Sequence, residues 1–165
     1  MGTKMVQDQA ATTQKPTGAF VGASWAALVI GMGAYLIGLG NSTMELNEKG
    51  YYLTLLLFGL FSAISVQKSV RDRSESVPVT NIYYGVAWFC LLAALALLSI
   101  GLCNADLLLS EKGFYAVSMV MALFAAIAVQ KNVRDLAVFN STQDPQEAVS
   151  SGGWFHRDEN ADERL

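Results

Sequence analysis

The sequence predicts an all-α integral membrane protein, with four transmembrane helices arranged as two tandem helical hairpins. Two observations predict this fold class. First, charged residues make up only 15% of the 165 residues, against about 25% in typical globular domains. Second, residues 22–72 align without a gap on residues 85–135, 63 positions later, with 22 identities in 51 positions. Each copy contains two long apolar segments, so the repeated unit is a helical hairpin.

The four predicted spans contain no Asp, Glu, Lys, Arg or His, and they are Phe20–Gly40, Tyr51–Val66, Tyr83–Cys103 and Phe114–Val129. A spanning helix needs about 20 apolar residues, and the first and third segments meet that length. The second and fourth have 16 residues each, about 24 Å of helix. Lysines bracket both short segments, and their ammonium groups can extend to the two interfaces. None of the four has a polar face to meet water, which disfavours a soluble helical bundle.

The chain divides into four parts. Residues 1–17 are polar and predict a disordered cytoplasmic tail, followed by membrane repeats at 18–74 and 81–137. Residues 138–165 predict an acidic, disordered cytoplasmic tail, because such a composition buries too little apolar surface to order itself. Within that tail, Trp154-Phe155-His156 is interpreted as an interfacial contact, or alternatively as a docking motif for a partner.

The distribution of cations predicts that both termini and the central loop are cytoplasmic. The two opposite loops contain only Lys49 and Lys112, whereas seven cations lie at the other ends of the spans: Lys4, Lys15, Lys68, Arg71, Arg73, Lys131 and Arg134. An excess of Lys and Arg marks the cytoplasmic side of a membrane protein. The first apolar segment is also long enough to remain as an anchor, so no cleavable signal peptide is expected.

Positions that recur in both repeats indicate shared physical roles, and the first group is small residues on the second and fourth spans. Small side chains spaced by four allow helix backbones to approach closely in lipid. The predicted packing residues are Gly59, Ala63, Ala122 and Ala126. We interpret them as packing the hairpins within one chain. The alternative is an oligomer interface that uses the small-residue faces of the first span.

The second group is a pair of polar turns between the helices of each repeat. The repeated residues are Asn41, Glu48, Lys49, Asn104, Glu111 and Lys112. Asn47 and Ser110 are predicted N-caps, and the glutamates then lie in the first turn, near the positive end of the helix dipole. Helix capping and a close approach of the hairpin helices account for these residues. The alternative is a ligand or ion site at the membrane surface, formed by Glu48 and Glu111.

The third group is a six-residue pattern after the second and fourth spans, QKSVRD and QKNVRD. Its candidate binding residues are Gln67, Lys68, Arg71, Asp72, Gln130, Lys131, Arg134 and Asp135. Lys68 and Asp72 are four residues apart and can pair on one helix face, although such a pair contributes only about 0.2–0.5 kcal/mol. Basic residues beside a span also hold its topology and attract anionic lipid. We interpret the pattern in that way; the alternative is a dedicated patch for a phosphate-bearing head group or an acidic segment of a partner.

No residue pattern indicates a catalytic, cofactor or metal site. The sequence lacks HExxH, GxSxG and phosphate-cradling motifs, and its one histidine, His156, lies in the predicted tail. Cys90 and Cys103 lie about 20 Å apart along one helix, which excludes a disulfide between them. We therefore expect a protein that is not an enzyme and binds no cofactor, metal or nucleic acid.

The repeated motifs resemble those of the YiaA/YiaB inner-membrane proteins and their two-helix domain. Each copy reads W-x₁₂-G-L-x-N, then E-K-G followed by aromatic residues, then A-I-x-V-Q-K-x-V-R-D, and the resemblance covers about residues 20–136. It implies a multi-pass protein of a bacterial inner membrane, and it brings no catalytic residues. A link to stress responses is an expectation at the level of this family.

The function expected from these observations is that of a small structural or interaction component of the membrane. Its expected partners are membrane lipids and either a second copy of the chain or another membrane protein. The alternative is an oligomeric transporter or channel, lined by residues such as Ser24, Ser62, Ser65, Ser99, Ser118 or Tyr35. Intramembrane ionisable residues usually mark transport pathways, and the four spans contain none.

Overall fold

The computed structural model describes residues 15–140 with their side chains, together with the backbone of residues 141–152. Four helices form in these residues: α1 (Gly18–Asn41), α2 (Leu46–Ser74), α3 (Asn81–Asn104) and α4 (Leu109–Gly152). Each is long and apolar enough to cross a membrane, α4 over Leu109–Asn140. The predicted all-α membrane fold is therefore confirmed, with α1 and α2 forming repeat 1 and α3 and α4 forming repeat 2.

The connection between the repeats begins with a defined helix stop. After α2, the amide of Ser76 donates to the carbonyl of Arg73 at 3.3 Å, and the amide of Val77 donates to that of Asp72 at 2.8 Å. This pair of bonds is the Schellman motif, which satisfies carbonyls that the helix end leaves unpaired. Ser76 has a φ of 59°, the left-handed conformation that the motif requires. Pro78 then follows the stop and prevents the helix from resuming.

Contacts divide the described chain into two compact units, of which Gly18–Lys131 is the larger. Within this unit, α2 and α4 are the inner helices. In the most apolar 18 residues of each helix, 44% of the residues are buried in α2 and in α4, against 17% in α1 and 22% in α3. Large apolar side chains on every helix remain exposed, including Ile37, Phe61, Phe89 and Phe124. Such a surface suits a lipid environment and not water.

The closest helix contacts in this unit join different repeats. A Cβ atom added to Gly31 of α1 would lie 2.9 Å from the backbone nitrogen of Ala122 in α4. A Cβ added to Gly59 of α2 would lie 2.6 Å from the terminal methyl of Met119, also in α4. The first helix of repeat 1 thus packs on the second helix of repeat 2. Small residues permit these approaches, as expected in lipid, but their partners lie in the other repeat and not within one hairpin.

The predicted packing residues lie in this interior. Gly59 and Ala122 make the contacts described above, while Ala63 and Ala126 are 1% and 7% exposed. At the centre, Tyr35, Leu56, Met119 and Ala94 have no exposed surface at all. Side chains therefore fill the middle of the unit.

Among the described residues, the smaller unit comprises residues 15–17 and 132–152. In it, the ammonium group of Lys15 lies over the ring of Phe139, 5.4 Å from its centroid. The helix α4 continues to Gly152, into the segment from residue 138 onward for which the sequence predicts a disordered tail. Leu136 and Phe139 extend the apolar sequence beyond the span. Adding residues to an existing helix also costs much less free energy than nucleating a new one. Residues 1–14, and Trp154-Phe155-His156, lie outside the described residues.

Replacing Gly31 by Ala tests the backbone contact between α1 and α4. The new methyl group meets backbone that cannot rotate away, so we expect the free energy of unfolding to fall by about 1–3 kcal/mol. Gly33→Ala is the matched control, because nothing lies within 4 Å of its Cβ position. It should raise stability by up to about 1 kcal/mol through helix propensity. Reversible unfolding in detergent micelles measures both, and equal effects of the two substitutions would contradict the packing.

Candidate functional site

A glycine in each repeat receives an aromatic ring from the other repeat. A Cβ atom on Gly38 of α1 would lie 2.7 Å from Cε1 of Phe114 in α4. A Cβ on Gly101 of α3 would lie 2.8 Å from Cε1 of Tyr51 in α2. Gly38 and Gly101 are equivalent positions, as are Tyr51 and Phe114. The contact is therefore reciprocal, which is the mark of a two-fold relation between the repeats.

Two equivalent tyrosines stack on each other beside these glycine contacts. The rings of Tyr52 and Tyr115 lie 6.0 Å apart, with their planes inclined by only 20°. Each has its preceding aromatic residue edge-on, Tyr51 at 5.3 Å and Phe114 at 5.8 Å. A residue that meets its own equivalent lies on the axis that relates the repeats. The stacked pair therefore places the two-fold axis near the short loops that join the two helices of each repeat. We call the contacting rings the aromatic group; they are Tyr35, Tyr51, Tyr52, Phe114 and Tyr115.

Tyr35 breaks the equivalence of the repeats within this aromatic group. Its ring lies edge-on to Tyr115 at 5.5 Å, and its hydroxyl donates to the carbonyl of Tyr52 at 3.0 Å. The equivalent position in repeat 2 is Leu98, which has no hydroxyl to donate. This hydrogen bond from Tyr35 in α1 to α2 therefore has no counterpart between α3 and α4.

The repeated glutamates close the N-termini of α2 and α4. A carboxylate oxygen of Glu48 accepts a hydrogen bond from the amide of Glu45 at 2.9 Å, and one of Glu111 accepts from the amide of Leu108 at 2.8 Å. This is the returning half of a capping box, in which a Glu at the third helical position satisfies the amide of the N-cap residue. The N-cap residue of each helix therefore lies three residues before its glutamate.

The predicted N-caps are consequently wrong by two residues. The helices begin at Leu46 and Leu109, so Asn47 and Ser110 lie inside the first turn instead of before it. The caps are Glu45 and Leu108, which were not predicted because neither stands out as a favoured N-cap residue. The signal that identifies them is the glutamate three positions later in both repeats.

The repeated lysines bind the end of the preceding helix in the same repeat. The ammonium group of Lys49 donates to the carbonyl of Gly40 at 3.1 Å, and that of Lys112 donates to the carbonyl of Cys103 at 3.3 Å. A cation at a helix C-terminus is favoured by the helix dipole and by unpaired carbonyls. In residues 15–140, neither Glu48 nor Glu111 forms an ion pair, since the adjacent lysines are engaged elsewhere.

Two open clefts lie beside the aromatic group, and each is built from both repeats. The first has a volume of about 250 Å³ and is lined by Asn47, Glu48, Tyr51, Tyr52, Gly101, Asn104 and Ala105. The second has a volume of about 330 Å³ and is lined by Gly38, Asn41, Ser42, Ser110, Glu111, Phe114 and Tyr115. Every residue of the first is equivalent to one of the second. We call them cleft 1 and cleft 2.

The two QKxVRD segments share an internal geometry that differs from the predicted pairing. Two nitrogen atoms of Arg71 donate to one oxygen of Asp72, at 3.1 and 2.7 Å. Arg134 does the same with Asp135, at 3.2 and 2.9 Å. The aspartates thus pair with the adjacent arginines, and the pairing of Lys68 with Asp72 is not formed.

The other candidate binding residues of the two segments are exposed lysines and partly buried glutamines. Lys68 and Lys131 are exposed. The side-chain oxygens of Gln67 and Gln130 are buried and have no hydrogen-bond partner within the described part of the chain. Because the arginines are paired with aspartates and their side chains are only 24% and 32% exposed, the lysines are the more accessible cations of both segments.

Sequence reasoning identified the glutamates and asparagines of the clefts but missed the aromatic residues and their glycines. The signal was present, since an aromatic pair follows E-K-G in both repeats, and the G-L-x-N glycine recurs. What the sequence did not indicate is that each glycine belongs with the aromatic residue of the other repeat. No group of three potential metal ligands occurs among the described residues.

The duplication of the hairpin agrees with a known family of membrane proteins. The family model of the yiaA/B two-helix domain matches the chain twice, at residues 20–72 and 83–135. The chain belongs to the yiaA/B two-helix domain family. Inner membrane protein YiaA of Escherichia coli (strain K12) is 50% identical to this family member over 145 residues, which are 87% of this chain and 99% of the relative.

A second relative aligns with only part of this yiaA/B family member. Uncharacterized membrane protein YubF of Bacillus subtilis (strain 168) is 44% identical over 63 residues, which are 38% of this chain and 72% of the relative. No solved structure is significantly similar to the chain. The predicted family and membrane character are thus confirmed.

Gly38→Ala tests the reciprocal contact from which both clefts are built. The added methyl meets the Phe114 ring, so the free energy of unfolding should fall by about 1–3 kcal/mol. Combining it with Phe114→Ala should recover part of the loss, as a coupling of about 0.5–3 kcal/mol in a double-mutant cycle. Gly40→Ala is the control, because its Cβ position is open. Additive effects of the Gly38 and Phe114 substitutions would contradict the contact.

Proposed function

We propose that this protein is a non-catalytic component of a bacterial inner membrane that acts by contacting lipids and neighbouring membrane proteins, with both termini in the cytoplasm. The observation that carries the proposal is the filled interior of the larger unit. Tyr35, Leu56 and Met119 are completely buried at its centre. A solute path through one chain would have to open this packing, and cores packed to this extent resist small displacements.

The inner membrane is proposed from the E. coli relative, which is named as an inner membrane protein. The orientation is proposed from the excess of lysine and arginine at one end of the spans, because such an excess marks the cytoplasmic side. The clefts then face the opposite side of the membrane.

Proteoliposome flux measurements test the proposal against a transporter. Since the interior is filled and the spans carry no ionisable residue, we expect ions and small solutes to cross at the rate of protein-free vesicles. Flux that rises with protein content would overturn the non-transporting role. Vesicles that contain the Gly31→Ala variant are a useful control, because loosened packing should not create a specific pathway.

The lipid contact is proposed for the QKxVRD segments. In both, the arginine is held by the adjacent aspartate, so its charge is largely compensated. Lys68 and Lys131 are exposed, and no ion pair of either is formed within residues 15–140. Lysine side chains at the end of a span reach the head-group region. These two lysines are therefore the cations available for the phosphate groups of anionic lipids.

Substituting both lysines by glutamine tests this contact. Each cation near the surface contributes about 1 kcal/mol to anionic lipid binding, so Lys68→Gln with Lys131→Gln should weaken it about 30-fold. Native mass spectrometry from bilayer nanodiscs, with an anionic lipid titrated into a choline lipid, measures the retained lipid. Lys49→Gln with Lys112→Gln removes the same charge at the other end of the spans and is the control. Equal loss in both double variants would contradict a contact specific to QKxVRD.

A further inference from the structure

The lining of each cleft includes a carboxylate, an asparagine from the other repeat and aromatic rings. We propose that cleft 1 and cleft 2 are equivalent binding sites for a primary ammonium group, such as that of an ethanolamine lipid head group or of a free amine. The inference deepens the proposed lipid-contacting role, although it concerns the end of the spans opposite to QKxVRD. A primary ammonium group donates three hydrogen bonds and accepts none.

Carboxylates supply the negative charge of each cleft. One carboxylate oxygen of Glu48 accepts a hydrogen bond from the amide of Glu45 at 2.9 Å, so that oxygen is engaged in capping the helix. Glu111 does the same in cleft 2, with the amide of Leu108. The second oxygen of each carboxylate has no hydrogen-bond partner among the described residues, and neither group is neutralised by a lysine. Each cleft therefore offers an available acceptor atom on a carboxylate that no lysine in residues 15–140 pairs with.

An asparagine at the end of the opposing helix adds a second acceptor in cleft 1. The amide nitrogen of Asn104 donates to the carbonyl of Ile100 at 2.8 Å. This bond uses one hydrogen of the NH₂ group, and the amide oxygen is the acceptor atom that the side chain offers to a ligand. Asn41 has the equivalent position in cleft 2. Both asparagines lie in the last turn of their helices, where the dipole also favours a cation.

An aromatic ring completes each cleft. Tyr51 and Phe114 are 38% and 44% exposed, so each offers ring surface to the cleft. The hydroxyl of Tyr51 donates to the carbonyl of Leu97 at 2.7 Å, which turns it away from a ligand. Tyrosine and phenylalanine are therefore interchangeable here, because both supply the ring face that attracts a cation. Gly38 and Gly101 have no side chain, and this leaves room for each ring to pack against the opposite repeat.

The same atoms fit an organic ammonium better than a bare metal ion. The described residues contain no group of three carboxylate, histidine or cysteine side chains that would hold a metal. An ammonium group needs fewer acceptors and gains from the ring. The clefts are also open and about 250 and 330 Å³ in volume, so a head group can enter while its lipid tails remain outside.

Glutamine substitutions separate ligand binding from helix capping. Gln retains a side-chain oxygen for the N-cap amide and is accepted in capping boxes, so Glu48→Gln and Glu111→Gln should preserve the helix starts and lower thermal stability only by the small loss of the charge–dipole interaction. The ammonium site loses its charge. Native mass spectrometry of the full chain from nanodiscs of ethanolamine and choline lipids should then show retained ethanolamine lipid falling from two molecules to one in each single variant, and to none in the double variant.

Asp106→Asn is the matched control, because it removes one negative charge from the same loops without changing a residue that lines cleft 1 or cleft 2. It should retain both ethanolamine lipids. Equal retention by the wild type and the Glu48→Gln/Glu111→Gln variant would overturn the proposal. So would equal retention of ethanolamine and choline lipids, because a trimethylated ammonium group donates no hydrogen bonds.

Free ethanolamine distinguishes the two sources of the ammonium group. If the clefts serve a soluble amine, free ethanolamine displaces the retained lipid and binds the protein in nanodiscs made of choline lipid alone. If they serve the lipid, retention survives that competition. Either result supports the ammonium site. Loss of anionic lipid in the Lys68→Gln/Lys131→Gln variant is a separate measurement, so the failure of one proposal is distinguishable from that of the other.

Discussion

Close approach of helix backbones across the two repeats is the constraint on which the rest of the structure depends. Lipid tails are as apolar as the side chains of a span, so helices in a membrane gain little from hydrophobic burial and associate through close packing. Gly31 against the backbone of Ala122 supplies that packing for α1 and α4. The completely buried centre at Tyr35, Leu56 and Met119 follows from it. The exposed apolar side chains of all four helices are then left for lipid.

The composition of the two clefts follows from the same packing of helices from different repeats. Because α1 packs on α4, the last turn of α1 lies beside the first turn of α4, and Gly38 receives Phe114. The capping glutamate Glu111 and the last-turn Asn41 are thereby brought to one cleft. Had each repeat closed on itself, a glutamate and an asparagine of the same repeat would have met instead. The charge and shape of each cleft therefore depend on which helices pack together and not on the sequence of one hairpin alone.

The sequence predicted what local patterns determine. Charge-free segments predicted the four spans, and the repeat predicted two equivalent units. It also indicated Glu48 and Glu111, whose capping hydrogen bonds are local because they join residues three positions apart. It did not predict which helices pack together, since small residues such as Gly31 and Gly59 indicate that a helix approaches closely but not what it approaches. Nor did it predict that Asp72 pairs with Arg71, because both possible partners of the aspartate are basic and the choice depends on side-chain geometry.

Tandem duplication has an evolutionary consequence for the two clefts. In an assembly of two identical single-repeat chains, one substitution would alter both copies of a reciprocal contact at once. Covalent fusion removes that linkage, so each cleft can accumulate its own changes. The chain already shows such differences: Tyr51 corresponds to Phe114, Asn47 to Ser110 and Ser42 to Ala105. Two sites of common origin are thereby free to acquire different ligand preferences within one folded chain.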